Sequence, residues 1–459
     1  MAGSGREGRI VVALVAAACL ASACVSLPGF RYLKDQSVIV DREVRIVSDG
    51  RELGATESEA LLGQLVPGLD RSSPLMEHLA LMERLTGMQL TTGNSVTLLE
   101  NGAAAYPAML RAIRKAKDNI NLESFIFEGE SVGQEFAGAL LEKRKEGVQV
   151  NLIYDSFGSS STPQSFFDRL AAGGIDILDF NHVGQTGWPL HRDHRKLLVV
   201  DGETAFTGGI NISDVYSSSL VSLGLERKLG RPWRDTEVMI EGPAVAQFQR
   251  VFLHTWLTKK GRGPTPCNYL PFVAAKGQAL VQAIASSPEE GTSLAYLMYL
   301  SAVARAACSI DITAAYFAPN ETLVDALGRA VRRGVDVRLD LPGRSDLSSV
   351  LLAGQSNYAK LLESGVSIYE RRGPNLHAKT AVIDGLWSTI GSTNLERWSF
   401  VRDYELNAAI LDAGFGERME KMFHEDLRQS DEIMLHAWKS RPLADRLLCW
   451  MAGLFSYWF

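Results

Sequence analysis

The sequence predicts an α/β fold made of two copies of one unit, and two observations lead to this prediction. A long motif occurs twice: His-x-Lys, four residues, Asp, six residues and Gly-(Gly/Ser)-x-Asn, beginning at His194 and at His377. The predicted strands and helices before each copy also follow one order. Because each copy carries one motif, we expect two pseudo-symmetric halves that share a single active site.

The composition is that of a globular protein and argues against several functional classes. The chain has 459 residues, of which 46% are hydrophobic and 22% are charged, as in proteins with a full core. A net charge of −6 lacks the basic excess that nucleic-acid-binding proteins use. The five cysteines have neither zinc-ligand nor disulfide-framework spacing. We therefore expect no metal, no cofactor and no nucleic acid, while a Cys267–Cys308 pair stays open.

Residues 1–26 have the pattern of a signal peptide or a membrane anchor. Two arginines within the first nine residues precede an uncharged run that ends in small residues, as in export signals. Three fates stay open: cleavage after Ala23, lipidation at Cys24 or Cys19, and retention as a membrane anchor. In each case we expect the body of the protein to be exported.

Residues 27–93 are predicted to form an N-terminal extension with a helix around Leu75–Thr86, and they carry no chemical motif. The first half then covers residues 94–262. Up to its motif, the first half alternates predicted strands and helices: Ser95–Leu99, Ala105–Lys117, Ile120–Phe127, Val132–Lys145, Val148–Tyr154, Gln164–Ala172 and Ile175–Phe180.

A linker at 263–285 is predicted to join the first half to a second half at 286–430. The second half repeats the same order of elements: Ile310–Phe317, Thr322–Arg333, Gly334–Leu339, Tyr358–Ser364 and Val366–Tyr369. The segments after the two motifs also match by letter, since Arg234-Asp235-Thr236-Glu237 corresponds to Arg402-Asp403-Tyr404-Glu405. This correspondence supports a complete internal duplication.

The last segment, 431–459, is predicted to be an amphipathic C-terminal tail. Its apolar residues fall on one face of a helix: Leu447, Leu448, Met451, Leu454, Phe455 and Trp458. Two interpretations stay open. The helix either lies in a membrane interface, which its aromatic residues favour, or it packs on the body as an ordinary terminal helix.

The motif residues are the candidate catalytic groups, namely His194, Lys196, Asp201, His377, Lys379 and Asp384. A strand alternates its faces, so the His and Lys of each copy point the same way. The two aspartates close each strand beside a turn glycine, which favours a turn or supporting role for them. We expect substrate phosphate to bind at Gly208, Gly209, Asn211, Ser392 and Asn394, where small residues admit an anion and amides donate hydrogen bonds.

Two histidines, two lysines and two asparagines around one centre suit a phosphodiester substrate. The lysines neutralise the phosphate oxygens. One histidine attacks phosphorus, and the other protonates the departing alcohol and later activates the acceptor. Glu237 and Glu405 are predicted to orient the histidines by accepting a hydrogen bond from the far ring nitrogen. The two ammonium groups take the place of a metal ion, and which histidine attacks stays open.

At these motifs the sequence resembles the phospholipase D superfamily from about Asn94 to Leu427. Within that superfamily, the residues of its motifs are most similar to those of bacterial cardiolipin synthases. The resemblance implies a two-lobed phospholipase D-type α/β sandwich. It also implies transfer of a phosphatidyl group between two phosphatidylglycerol molecules at a bacterial cell membrane, with the body on the periplasmic or outer face. By this analogy His194 is the nucleophile and His377 is the acid and base.

Three alternatives remain after the resemblance. A phospholipase D with the same site would use water as the acceptor and produce phosphatidic acid. A nuclease of the same superfamily is disfavoured by the acidic balance, the export signal and the apolar tail. A non-catalytic lipid-binding protein is disfavoured because both motifs are complete, whereas a degenerate relative would be expected to lose a histidine or lysine.

Overall fold

The computed structural model describes residues 43–66, 72–182, 191–217, 232–260, 263–291 and 293–455, together with residues 27–29, 32 and 69. The predicted signal or anchor segment, 1–26, lies outside the described residues. Among the helices that are described, none has the length and apolar content needed to cross a bilayer.

The N-terminal extension packs on the second half of the chain. It contains two short strands and two helices: β1 (Ile46–Ser48), β2 (Arg51–Glu52), α1 (Ala55–Leu65) and α2 (Pro74–Thr86). Helix α2 begins with a proline in its first turn and ends at Gly87 in the left-handed conformation, which are favoured residues at the two ends of a helix. Its buried Leu79 and Met82 share one apolar core with Leu297 and Leu300. The extension is therefore a cap on the second half.

The first half is a mixed sheet with helices on both faces. Its strands have the spatial order β3-β10-β9-β8-β4-β5-β6, in which β4, β5 and β6 are parallel and the others antiparallel. Its elements are: β3 (Leu90–Glu100), α3 (Asn101–Lys115), β4 (Asn119–Ser124), α4 (Ser131–Lys145), β5 (Gln149–Asp155), α5 (Gln164–Ala172), β6 (Asp176–Phe180), β7 (Arg192–Asp193), β8 (Lys196–Val200), β9 (Thr204–Gly208), a 3₁₀ turn (Asp214–Tyr216), β10 (Thr236–Glu241) and α6 (Val245–Lys260).

The second half repeats this sheet as β11-β19-β17-β16-β12-β14-β15, again with three parallel strands at one side. Its elements are: β11 (Ala279–Ser286), a 3₁₀ turn (Pro288–Glu290), α7 (Leu294–Arg305), β12 (Ser309–Ala314), β13 (Phe317–Ala318), α8 (Glu321–Arg332), β14 (Asp336–Pro342), α9 (Ser348–Gln355), α10 (Tyr358–Glu363), β15 (Ser367–Arg371), β16 (Lys379–Ile383), β17 (Trp387–Gly391), β18 (Leu395–Glu396), α11 (Arg397–Val401), β19 (Asp403–Leu411) and α12 (Ala413–Leu427). The predicted duplicated α/β fold is thus present.

Strand β3 joins the two sheets, and two predicted boundaries are wrong because of it. Its first residues pair with β1 and β11, and Ser95–Glu100 pairs with β10. Gly93, with φ +88°, lies where the strand passes from one sheet to the other. A boundary between residues 93 and 94 therefore cuts a continuous strand. The predicted linker, 263–285, likewise contains most of β11, which is part of the second sheet.

The inner faces of the two sheets form the central core together with helices α6 and α12. Leu197 and Val199 from β8 meet Val382 and Ile390 from β16 and β17 there. Every residue of β8 and β16 is buried, as the apolar runs after each motif predict. Two rigid strands therefore begin where the halves contact each other, and the first residue of each strand is a motif lysine.

The C-terminal segment contains a strand and two helices: β20 (Ser430–Glu432), α13 (Leu435–Lys439) and α14 (Leu443–Leu454). Strand β20 pairs with β15 at the edge of the second sheet, so the predicted tail begins inside the fold. Helix α14 packs on α9, with Cys449 as its buried residue. Cys267, Cys308 and Cys449 are free thiols.

Candidate active site

Each motif histidine is held by the backbone of the opposite half. The His194 N–H donates to the Tyr404 carbonyl at 3.0 Å, and the His377 N–H donates to the Arg234 carbonyl at 2.7 Å. Both histidines lie just before a buried strand, β8 or β16, and both are buried themselves. The two motifs therefore meet where the halves contact each other, and neither half can form its part of the site alone.

Each imidazole also pairs with a carboxylate from the opposite half. His194 Nδ1 lies 3.0 Å from Glu405 Oε1 and 3.2 Å from Oε2, whereas His377 Nδ1 lies 2.7 Å from Asp235 Oδ2. Glu405 thus has the position predicted for it. Glu237 does not, because the carboxylate beside His377 is Asp235. A carboxylate at Nδ1 places the ring proton there and leaves the Nε2 lone pair available.

The register of the strands shows why the sequence match selects Glu237 and not Asp235 as the partner of His377. Glu237 pairs with Gly208, and Asn407 pairs with the equivalent Gly391. Two residues earlier on each strand stand Asp235 and Glu405, so these two are the structural counterparts. The match of Arg-Asp-Thr-Glu to Arg-Asp-Tyr-Glu by letter therefore differs by two positions from the alignment that the paired glycines give. The signal that could have found Asp235 is the distance along the strand from the motif glycine, rather than the letters of the segment.

The small residues of the motifs make room for protein carboxylates, while phosphate binding at Gly208, Gly209 and Ser392 stays a prediction. A Cβ atom on Gly209 would lie 2.1 Å from Asp235 Oδ1, and one on Gly208 would lie 2.5 Å from Glu237 Oε2. In the second half the hydroxyl of Ser392 donates to Glu405. Burial and the neighbouring Asp235 raise the pKa of Glu237 well above its usual value, so Glu237 is a neutral buried group beside the site.

The two motif lysines are buried together next to the histidines. Lys196 Nζ donates to the His194 carbonyl and Lys379 Nζ to the His377 carbonyl, both at 2.5 Å. Burial and the charge of Lys379 lower the pKa of Lys196 to about 7, and burial lowers the pKa of Lys379 to about 8. The lysines therefore affect each other's charge, as expected for two cations that face one phosphate.

Burial also keeps the histidines neutral. Together with the charge of Lys196, it lowers the pKa of His194 to about 4. Burial and the charge of Lys379 lower the pKa of His377 in the same way. Burial opposes ionisation of Glu405, but its interactions with His194 and Lys196 prevail and lower its pKa. At neutral pH the site therefore holds neutral imidazoles against an ionised Glu405.

The two motif asparagines are part of the buried polar network. Asn211 Oδ1 accepts from the Ile126 N–H at 3.1 Å, and its Nδ2 donates to the Tyr216 hydroxyl at 3.2 Å. The Asn394 N–H donates to the Ser399 hydroxyl at 3.1 Å, while Asn394 Oδ1 is buried without a hydrogen-bond partner among the described residues. Phosphate binding by these amides stays a prediction.

Asp201 and Asp384 lie at the far end of the motif strands. The Asp201 carboxylate accepts the backbone N–H groups of 117, 118 and 119 at 2.8–3.0 Å, and Asp384 does the same for 307, 308 and 309 at 2.6–2.9 Å. A strand of five residues, about 16 Å long, lies between each aspartate and its motif histidine. Both have positive φ in the turn. The structure therefore places both aspartates in the turn, which is the role that the sequence favours for them over a catalytic one.

Two further residues contact the histidine–carboxylate pairs and were not predicted. The Tyr216 hydroxyl lies 3.1 Å from His377 Nδ1, and the Ser399 hydroxyl donates to Glu405 Oε1 at 2.5 Å. Each stands five residues after the motif asparagine of its own half. Tyr216 and Ser399 are thus equivalent positions with different side chains, and this equal spacing was the available signal.

One group of described residues has the composition of a cation site. Possible ligand atoms of His194, Asp403 and Glu405 lie within 4.8 Å of one another. Both oxygens of Glu405 already accept hydrogen bonds, from His194 and from two serine hydroxyls. Burial, together with Glu405, also raises the pKa of Asp403 well above its usual value. A cation would therefore compete with donors that are already present.

Comparisons with known proteins identify relatives of this chain. A family profile described as "Cardiolipin synthase, PLD-like domain" matches residues 109–256 and 299–427. A cardiolipin synthase of Geobacillus kaustophilus is 32% identical over 82% of this chain and 75% of its own length. Cardiolipin synthase A of Pseudomonas putida F1 is 36% identical over 79% of this chain and 74% of its own. A crystal structure of phosphatidylserine synthase from Haemophilus influenzae shares the fold, with TM-score 0.61 and 14% identity over 82% of this chain and 96% of that one.

Proposed function

The chain belongs to the family of cardiolipin synthases with a PLD-like domain, and from this membership we propose that it transfers a phosphatidyl group between two phosphatidylglycerol molecules. The observation that carries the proposal is the pair of crossed contacts His194–Glu405 and His377–Asp235. These contacts, with Lys196 and Lys379, form one site of two neutral imidazoles and two ammonium groups. That set suits a phosphodiester monoanion.

In the first half-reaction, Nε2 of His194 attacks the phosphorus of phosphatidylglycerol. The bond from phosphorus to the headgroup glycerol breaks, and His377 gives the departing oxygen a proton. Binding of the phosphate anion beside Lys379 raises the pKa of His377, so that this imidazole carries a proton when needed. The products are free glycerol and a phosphatidyl group bonded to His194.

In the second half-reaction, a hydroxyl of another phosphatidylglycerol attacks the same phosphorus. Its proton passes to His377, the bond to His194 breaks, and cardiolipin leaves. Lys196 and Lys379 stabilise the charge on the phosphate oxygens in both steps, because fixed cations in a dry site are most effective where charge develops. This division of roles needs no metal, and we expect activity to persist in EDTA.

The substrate also suggests where the protein acts. Because phosphatidylglycerol resides in bilayers, we propose that the body works at a bacterial membrane surface, on the periplasmic or outer face that the signal-like residues 1–26 suggest. We further propose that the two sheet units, each built around one motif, act as the two catalytic halves, since each contributes one histidine and the carboxylate partner of the other.

Lipid analysis after incubation with phosphatidylglycerol vesicles tests the proposal. Wild type is expected to yield cardiolipin and one equivalent of glycerol, and His194→Ala neither product. Phosphatidic acid instead of cardiolipin would identify water as the acceptor and make the protein a hydrolase. Absence of any lipid product would contradict the proposal and direct the search to other phosphodiesters, with plasmid DNA first.

A further inference from the structure

Helix α14 carries its large apolar side chains on the outside. Its solvent-facing residues, with the one that follows it, are between 46% and 78% exposed: Leu443, Leu447, Leu448, Trp450, Met451, Leu454 and Phe455. Its contact with α9 uses small residues. Cys449 is 4% exposed, and a Cβ atom on Gly453 would lie 2.7 Å from the Ser356 hydroxyl. An ordinary terminal helix turns its large apolar residues inward, so this helix has the opposite orientation.

The helix is nevertheless firmly attached. The Cys449 thiol lies 3.7 Å from the Gln355 side-chain oxygen. The Arg441 guanidinium, which stacks on Trp438 just before the helix, lies 3.9 Å from the same sulfur. The apolar surface is therefore presented on a fixed support, and a contiguous exposed patch of this kind marks an interaction site.

The charge around this patch favours an anionic partner. A groove of about 1180 Å³ runs between α14 and the second half. Its cationic lining residues are Arg397, Lys439, Arg441 and Arg446, against two carboxylates, Glu321 and Glu363, of which Glu363 pairs with Lys439 at 2.6 Å. Trp450 stands beside these cations on the exposed face. Basic residues with tryptophan next to an apolar face are typical of helices that lie at the headgroup level of anionic bilayers.

The helix that supports α14 begins near the active site. The Tyr316 ring is 6.2 Å from the His377 ring, and the Tyr316 hydroxyl donates to Asp346 at 2.8 Å. Leu347, which is exposed, follows Asp346 and precedes α9, the helix that supports α14. A short run of contacts therefore connects the catalytic imidazole to the base of the apolar helix.

We propose that α14 and its basic groove bind the surface of an anionic phospholipid bilayer, with the apolar side chains inserted at the acyl boundary. Seated in this way, the helix holds the second half against the membrane that contains the substrate. The inference rests on the proposed function for the identity of that substrate, but the docking surface is argued from the helix itself. It assigns the apolar face to lipid rather than to a second copy of the chain.

The test compares turnover on two forms of one substrate. Full-length Leu447→Asp/Leu454→Asp is assayed on phosphatidylglycerol vesicles and on short-chain phosphatidylglycerol dispersed as monomers. The ratio of vesicle to monomer turnover is expected to fall at least about tenfold, since the apolar face then no longer inserts. Phe272→Asp is the matched control, because Phe272 is 79% exposed on the connection between the halves, and its ratio should stay at the wild-type value.

An unchanged ratio in the double variant would overturn the proposal. If the double variant loses activity on monomers as well, Leu447→Ser and Arg446→Glu replace it, and the latter should lower turnover on anionic vesicles but not on vesicles diluted with phosphatidylcholine. Conversion of a wild-type dimer to a monomer with an unchanged ratio would assign the face to a second copy and also overturn the proposal. If wild type turns over neither substrate, the proposed function fails, and flotation of wild type and variant with phosphatidylglycerol vesicles still decides whether the helix docks.

Discussion

The two half-sites share one plan but hold their histidines differently. Around His194, the Glu405 carboxylate accepts hydrogen bonds from the imidazole and from the hydroxyls of Ser392 and Ser399. Around His377, three polar groups gather at Nδ1 itself. These are the Asp235 carboxylate at 2.7 Å, the Lys379 ammonium at 3.0 Å and the Tyr216 hydroxyl at 3.1 Å.

This difference indicates two roles for one motif. A carboxylate with three donors stays ionised and fixes His194 in one tautomer, which suits a nucleophile that must present its Nε2 lone pair. His377 has an acceptor, a cation and a hydroxyl that can donate or accept. Its protonation can therefore change within a turnover, which suits an acid and base. In the proposed mechanism, the different groups around Nδ1 therefore give two histidines of equivalent position different functions.

The largest effect is expected from removing either imidazole. His194→Ala and His377→Ala should each lower phosphatidylglycerol turnover by roughly 10⁴ or more, because the nucleophile and the acid are separate essential groups. A substrate with a nitrophenol leaving group distinguishes them. It needs no acid to depart, so His377→Ala should release one equivalent of nitrophenol and then stop, whereas His194→Ala should release none. Bursts in both variants would contradict the assigned roles. His182→Ala, at an exposed histidine outside the site, is the control.

Removing the carboxylate beside each histidine should have the next largest effect. Asp235→Asn and Glu405→Gln should each reduce the rate by about 10²–10⁴, because an amide at Nδ1 favours the wrong tautomer. Glu237→Gln is the matched control. The amide resembles the protonated carboxyl that burial favours at this position, and Glu237 contacts neither histidine, so kcat should change by less than about threefold. A loss in Glu237→Gln as large as that in Asp235→Asn would restore the sequence-based choice of Glu237.

Substitution of each motif lysine tests whether both halves bind the substrate phosphate. Lys196→Ala and Lys379→Ala should each reduce kcat by about 10²–10³, as expected when one fixed charge is removed from a preorganised site. The loss should appear in kcat more than in KM, since the charge on the phosphate oxygens grows toward the transition state. Retention of wild-type kcat in either variant would show that one half alone binds the phosphate.

The duplicated α/β fold could be predicted from the sequence, but the contacts between its two halves could not. The motif spacing and the alternation of strands and helices predicted the duplicated α/β fold, with His194 and His377 at a shared site, because these follow from local periodicity. The choice between Asp235 and Glu237 depends on strand register after connections of unequal length. The turn role of Asp201 depends on backbone amides that lie 82–84 residues away. Neither feature has a local signature.

The pH dependence of kcat/KM tests whether turnover needs the charges of the two motif lysines, one from each half. Because Lys196 has a pKa of about 7 and Lys379 of about 8, the free enzyme loses its ammonium groups as pH rises through this range. We therefore expect the lysines to make kcat/KM fall from about pH 7, by about tenfold per pH unit between 7 and 8 and by nearly a hundredfold per unit above 8. In Lys196→Arg the fall should shift to higher pH, since guanidinium stays charged. A rate that rises from pH 6 to 9 would contradict this.

The smallest effects should come from the two hydroxyls at equivalent positions, Tyr216 and Ser399. Ser399→Ala removes one of three donors to Glu405 and should cost about 1 kcal/mol, or roughly fivefold in rate, with little change in the pH profile because His194 and Ser392 remain. Tyr216→Phe removes a group that contacts His377 Nδ1 directly. A loss of similar size there should be accompanied by a displaced acidic limb of the kcat profile, since the proton affinity of His377 changes. If both variants alter the rate without any displacement, the hydroxyls serve packing alone and the proposed division of roles loses its support from this pair. A displacement in Ser399→Ala and none in Tyr216→Phe would reverse the assignment and make His194 the imidazole whose proton is exchanged.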